Sequence, residues 1–190
     1  MSDVGVDESL LKSVAVQVAT DAAELVREAW EGMAGGRSVA GAVVEPASGR
    51  VWSAARGQGA FLDGRRLAVS APSRLELTLV GTGFAYSAER RTRQSRFAAE
   101  LLGRVRDIRR NGAASLDLCA VAAGWLDAYV EHGLHRWDWA AGALIAAEAG
   151  AQVRLPGSAP ELGSDATYAA APSIADPLRE VIADCGAAEV

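Results

Sequence analysis

Arg109-Arg110-Asn111-Gly112-Ala113-Ala114-Ser115-Leu116-Asp117-Leu118-Cys119-Ala120-Val121-Ala122-Ala123-Gly124-Trp125-Leu126-Asp127-Ala128-Tyr129-Val130-Glu131, followed by His132-Gly133-Leu134-His135-Arg136-Trp137-Asp138-Trp139-Ala140-Ala141-Gly142, decides the fold. The spacing predicts a helix from about Gly112 to Ala123, built of small and apolar residues. A strand from Leu126 to Glu131 follows, with Asp127 and Tyr129 alternating, and then a second helix from Asp138 to Ala149. Helix, strand and helix in close succession point to layered packing in an α/β class domain.

Working outward, Asp107 to Arg110 reads as a strand, and Ala88 to Val105 as a helix rich in arginine (Arg90, Arg91, Arg93, Arg96, Arg104). That basic stripe is a solvated or subunit-facing surface, or a cluster turned to phosphate. Val39 to Val44, Arg50 to Ala55 and Leu67 to Ser70 form a β-meander. Its breaks are marked by Pro46-Ala47-Ser48-Gly49, Gly57-Gln58-Gly59-Ala60-Phe61 and Asp63-Gly64, and Leu77 to Gly81 is a further strand. Downstream come strands at Gln152 to Leu155 and Thr167 to Ala171, a loop from Pro156 to Asp165, and a closing helix from Ser173 to Cys185. At the start, Leu10, Leu11, Val14, Val18, Ala22, Leu25, Val26, Ala29 and Met33 recur at helical spacing, so Ser9 to Met33 is expected to be one amphipathic helix ended by Gly35-Gly36. The domain division expected is a helix over 1–36, a meander over 37–80 and an α/β unit over 81–190.

Composition narrows the function classes. The chain has 190 residues, a net charge of −5 and an apolar fraction of half. The negative charge argues against nucleic-acid binding by bulk electrostatics. No apolar run is long enough to cross a bilayer, and no basic-then-apolar leader is seen. Cys119 and Cys185 lie far apart without metal-type spacing, as expected of reduced thiols in the cytoplasm.

The chemistry-bearing candidates are few. Asp138, at the start of a helix, is either an N-cap or a metal ligand; a hard cation such as Mg2+ takes oxygen donors and keeps several waters. Asn111-Gly112-Ala113-Ala114-Ser115 opens the other helix with small side chains after Arg109-Arg110. Asn111 is either its cap, or the segment is an anion site at free helix amides. Glu131, at the end of a strand, can accept hydrogen bonds from sugar or inositol hydroxyls. His132 and His135 lack helical ligand spacing. Trp125, Trp137 and Trp139 are expected in the core or a subunit interface, and Asp117 and Asp127 as solvated or capping carboxylates.

Taken in order, these pieces resemble the C-terminal signature of the inositol monophosphatase family, and they are especially similar to its actinobacterial branch. The resemblance extends through Gly81-Thr82-Gly83-Phe84 and the meander, where Pro46, Gly49, Ala55, Gly57, Gly59-Ala60 and Gly64 match. It covers nearly everything from Ser38 onward. It implies an α/β fold, the α+β layered sandwich of the sugar phosphatases. Residue by residue it implies that Asp138 binds an active-site metal and that Glu131 contacts inositol hydroxyls. Gly112 and Ala114 then lie in the segment whose backbone runs against substrate. The implied activity is Mg2+-dependent hydrolysis of inositol phosphate or a related sugar phosphate, in the cytoplasm. A homodimer is among the implied assemblies, and neither nucleic acid nor membrane is an expected partner.

The chain departs from that family at its metal motifs. The family carries a Glu-Glu pair and an Asp-Pro-Ile/Leu-Asp-Gly-Thr segment. Here the only Asp-Gly is Asp63-Gly64 and the only Asp-Pro is Asp176-Pro177. The N-terminal sheet is therefore expected to be truncated, Mg2+ binding weak or lost, and no residue is assigned a catalytic role. Three readings stay open: an impaired enzyme, a non-catalytic binding or dimerisation module, and a deletion product of the full-length enzyme.

Overall fold

A computed structural model describes residues 38–190. The helix expected over Ser9 to Met33 lies outside the described residues. The first sheet is antiparallel, with strands β1 (Ala40–Glu45), β2 (Arg50–Ala55), β3 (Gly59–Leu62) and β4 (Arg65–Arg66) in sequential order. Asp63 and Gly64 make the tightest turn. Both have positive φ, 49° and 77°, which a two-residue type I′ hairpin needs to match strand twist. The Asp63 carboxylate also accepts the Val51 amide at 2.9 Å, tying the turn to β2.

The strand expected at Leu67 to Ser70 does not form. Gly59 to Leu62, in the stretch read as a break, forms β3 instead. Leu67 keeps one bond to it, its amide donating to the Ala60 carbonyl at 2.8 Å, and the Val69 amide then donates to the Ala149 carbonyl at 3.1 Å. The segment is drawn out of the sheet to cross the end of a helix.

The second sheet has the order β6-β5-β7-β9-β8. Its strands are β5 (Leu79–Thr82), β6 (Asp107–Arg109), β7 (Ala128–His132), β8 (Gln152–Arg154) and β9 (Ala166–Ala170). The two pairs involving β5 are parallel and the rest antiparallel. Helices α1 (Ala88–Leu102), α2 (Ala114–Ala122), α3 (Arg136–Glu148) and α4 (Ala175–Asp184) complete the described chain.

Asp127, expected as a solvated or capping carboxylate, takes up backbone and side-chain donors rather than solvent. It accepts the Leu79 amide at 2.7 Å and the Ser70 hydroxyl at 2.6 Å, clamping β5 against the entry to β7. Each bond to a charged acceptor of this kind contributes about 1.5–3 kcal/mol.

Three apolar clusters define four layers. Val43, Trp52, Ala54 and Ala60 of the first sheet pack on Cys119 and Ala122 of α2 and on Leu144 and Ile145 of α3. The opposite sides of those helices, through Leu118, Val121, Ala143 and Ala146, pack on Tyr129 and Ala169 of the second sheet. On the far face of that sheet, Val80, Ala128 and Val130 meet Phe97 and Leu101 of α1 and Leu178 and Ile182 of α4. The order is thus sheet, α2 with α3, sheet, α1 with α4.

The buried helix pair approaches closely because Gly142 has no side chain. A Cβ there would lie 2.8 Å from the Leu118 Cβ and 3.1 Å from the Ser115 carbonyl. Gly41 does the same for β1, where a Cβ would fall 3.0 Å from the Ala141 backbone. The Ala140-Ala141-Gly142 run therefore serves packing. We expect Gly142→Leu to lower stability by about 3 kcal/mol or more, because the layer has sheets on both sides and little room to shift. Urea unfolding checks this, and a midpoint unchanged from wild type would contradict it.

Candidate functional site

The site forms where β6, β7 and the two central helices present their ends together. Period-two alternation along β7 decides which side chains reach it. Ala128 and Val130 face the outer helices, whereas Tyr129 faces the buried helix pair. Glu131 shares the Tyr129 face, and the Tyr129 hydroxyl donates to its carboxylate. His132 shares the Val130 face. It is buried, its ring stands edge-on to Phe97 at 5.9 Å, and Nε2 lies 2.7 Å from the Leu162 carbonyl. The strand thus turns Glu131 and His132 to opposite sides.

Glu131 sits against Gly83, where any Cβ would collide with its carboxylate. Burial pushes its pKa up, and Asp138 adds to the rise. The Tyr129 hydroxyl and Arg110 oppose it. Burial, then the neighbouring carboxylate, likewise pushes the Tyr129 phenol up, so it stays a proton donor at neutral pH.

Asp138 is neither the first residue of its helix nor its N-cap. The helix starts at Arg136 with His135 as N-cap, and Asp138 occupies the third position. From there its Oδ2 accepts the His135 amide at 2.8 Å, the inward half of a capping box. The carboxylate is half-buried and within electrostatic reach of Glu131 and Tyr129. The His135 ring tilts over Trp137, 4.5 Å away. Trp137 is 79% exposed rather than in the core, and Trp125 is 48% exposed, resting edge-on against Trp52 at 6.1 Å.

On the other side, Gly112 has φ +90°, a conformation that disfavours side chains. Ala114 is the first residue of α2. Asn111 does not cap that helix; the N-cap is Ala113, and no side chain caps it. The Asn111 amide donates instead to Asp117. Asp117, expected as a solvated or capping carboxylate, is 1% exposed. Burial pushes its pKa up to about 6; the Asn111 hydrogen bond works against this, Glu131 adds to it, and Arg110 opposes it. Asp117 and Tyr129 escaped the sequence reading because a lone Asp in a helix and a Tyr in a strand carry no motif. The only available signal was Asp117 falling among Leu116, Leu118 and Cys119.

The basic helix α1 turns one arginine to this layer's rim, where Arg90 holds Asp165 at 2.6 and 2.8 Å. Arg93 pairs with Glu89, and Arg91 binds the Ala85 and Tyr86 carbonyls. A cavity of about 340 Å³ runs along α3 past Trp139, Ala143 and Leu155, and none of Gly112, Glu131 or Asp138 lines it.

The donor set does not by itself fit a divalent cation. One Asp138 oxygen is held by the His135 amide, Glu131 is bonded to Tyr129, and Asp117 to Asn111. Among the described residues no three His, Cys, Asp or Glu side chains converge as a metal group, whereas Mg2+ prefers six oxygens in near-octahedral array. No described helix is long and apolar enough to cross a membrane.

Residues 32–186 match the model of the inositol monophosphatase family. The chain belongs to that family. As a member of the inositol monophosphatase family it is 55% identical over 148 residues to an inositol-1-monophosphatase of Mycobacterium leprae, an alignment covering 75% of this chain and 51% of that protein. It is 46% identical over 121 residues to a Nus factor SuhB of Pseudomonas aeruginosa, covering 62% and 45%. The solved structure of Mycobacterium tuberculosis SuhB superposes with a TM-score of 0.75 and 47% identity, over 82% of this chain and 63% of that one. The chain spans about half the length of the curated relatives it matches.

Asp117 gives the site a pH signature. Its folded pKa lies above the unfolded value, so the folded state holds the proton more tightly. That stabilisation is complete below about pH 4 and is lost as pH rises through about 6. Asp117→Asn should remove a fall in stability of roughly 2–3 kcal/mol across that window. Denaturation midpoints from pH 4 to 7 check this, and an unchanged slope in the variant would contradict it.

Proposed function

We propose that this chain carries the substrate-facing half of an inositol-monophosphatase site and binds inositol phosphate or a related sugar phosphate. The carrying observation is that Arg110 lies beside Gly112, its guanidinium 3.2 Å from where a Cβ would be, and acts on Glu131, which Asp138 also reaches. In this reading Glu131 accepts hydrogen bonds from ring hydroxyls. The backbone of Gly112 and Ala114, at the open start of α2, runs against the phosphate ester. Tyr129 holds the Glu131 carboxylate in place, and Arg110 offsets the negative charge of site and ligand.

Asp138 is the one described carboxylate assigned to Mg2+. When bound, such ions activate water and neutralise phosphoryl charge. The 190 residues contain neither a Glu-Glu pair nor an Asp-Pro-Ile/Leu-Asp-Gly-Thr segment, so we propose that hydrolysis by this chain alone is impaired. Each lost electrostatic or positioning contribution lowers a rate by about 100-fold or more.

The second reading is a non-catalytic binding or dimerisation module, which includes the case of a deletion product. It is favoured by the similarity to a protein named as a Nus factor rather than as a phosphatase.

Phosphate release from inositol 1-phosphate, with and without Mg2+ and beside Asp138→Asn, separates the two. We expect any turnover to lie at least about 100-fold below that of a full-length relative, with whatever part depends on Mg2+ lost in Asp138→Asn. Mg2+-dependent turnover that survives in Asp138→Asn would remove the metal assignment. No turnover, together with no calorimetric binding of inositol 1-phosphate, would overturn the substrate assignment and leave the module reading.

A further inference from the structure

We infer that Asp117 is the positioning residue of the Asn111-Gly112-Ala113 loop, acting through Asn111; this rests on the reading that the loop faces the phosphate ester. A carboxylate buried to 1% exposure is costly unless hydrogen bonds hold it. Its chain neighbours Leu118 and Cys119 fill the core on either side of the helix, while the Asp117 side chain itself faces Asn111, within electrostatic reach of Glu131 and Arg110. What a carboxylate adds is a fastening. Its Oδ1 accepts the Asn111 side-chain amide, whereas the 3.0 Å bond from its backbone amide to the Ala113 carbonyl belongs to the first turn of the helix and does not need the carboxylate. The side chain thus fastens the start of the three-residue loop, and the helix holds its end.

Gly112, between the anchors, stands at φ +90° with the Arg110 guanidinium beside it, 3.2 Å from where a Cβ would be. The fastening also settles what Asn111 does. A side chain of this type just ahead of a helix commonly binds the first amides. Here it is turned inward, and the N-cap is an alanine with no capping group of its own. Asp117 sits behind the loop, and its effect on ligand passes through the Asn111 hydrogen bond and the loop backbone.

The test is a double-mutant cycle on the full chain, with inositol 1-phosphate as probe, affinity read by calorimetry and melting recorded in parallel. Asp117→Ala and Asn111→Ala should each weaken binding about tenfold, and the double variant should be no weaker than either, because both remove the same fastening. Asp117→Asn should stay within about threefold of wild type, since its amide oxygen still accepts from Asn111. Additive losses, or lower melting temperatures at unchanged affinity, would overturn the proposal. If the wild-type chain does not bind the probe, the phosphate reading of the loop fails separately. The fastening is then read from the Gly112 and Ala113 backbone amide resonances. Asp117→Ala and Asn111→Ala must displace them alike, with Asp117→Asn restoring them. Resonances that do not move would overturn the proposal.

Discussion

The close approach of α2 and α3 at Gly142 is the contact on which the rest depends. With Leu118 and the Ser115 carbonyl lying where a side chain would be, the two helices form a thin layer that both sheets can cover. Trp52 and Val43 close it on one side and Tyr129 and Ala169 on the other. Glu148, at the end of α3, then reaches the first sheet and accepts the Gly57 and Gly59 amides at 2.9 and 3.0 Å. Those bonds hold its pKa below the ordinary carboxylate value. The functional end of the layer inherits this geometry: because the helices are in contact, their N-terminal turns emerge side by side next to the end of β7.

Bringing Asp117, Glu131 and Asp138 together sets like charges against one another within a partly desolvated space. Burial raises the pKa of Asp117 and of Glu131, and each has a neighbouring carboxylate that adds to the rise. The fold answers with one donor per carboxylate: Asn111 on Asp117, Tyr129 on Glu131 and the His135 amide on Asp138. Arg110 supplies the positive charge felt by both Asp117 and Glu131. In the proposed function this arrangement receives ligand hydroxyls at Glu131 and an anion at the Gly112 loop. It is short of fixed oxygens for a cation.

Much of the fold was legible in the sequence, since strong periodicity marked most elements to within a few residues. The miss at Leu67 to Ser70 is physical: short apolar residues read as a strand, but Val69 spends its amide on Ala149 at the helix end rather than on a sheet neighbour. At the site, Glu131 and Asp138 stood out because a carboxylate at the end of an apolar strand or the start of a helix is conspicuous. Asp117 did not, because its function depends on a hydrogen bond to a residue in the preceding loop that no helical spacing encodes. Trp137, expected in the core or a subunit interface, is outside the core: its place in the first turn of α3, beside His135, leaves it exposed in the single chain.

The chain belongs to the inositol monophosphatase family, and our proposal gives it the substrate-facing half of a phosphatase site; among the described residues no metal-binding group of three or more side chains is formed. The most direct measurement is a crystal structure of the chain soaked with inositol 1-phosphate and Mn2+, with anomalous data locating the ion. The account predicts the phosphate against the Gly112 and Ala114 backbone, hydroxyls on Glu131, and any manganese bound to Asp138 as its sole described protein ligand. A fully coordinated manganese held by three or more protein carboxylates, or an inositol phosphate seated away from Glu131, would contradict it.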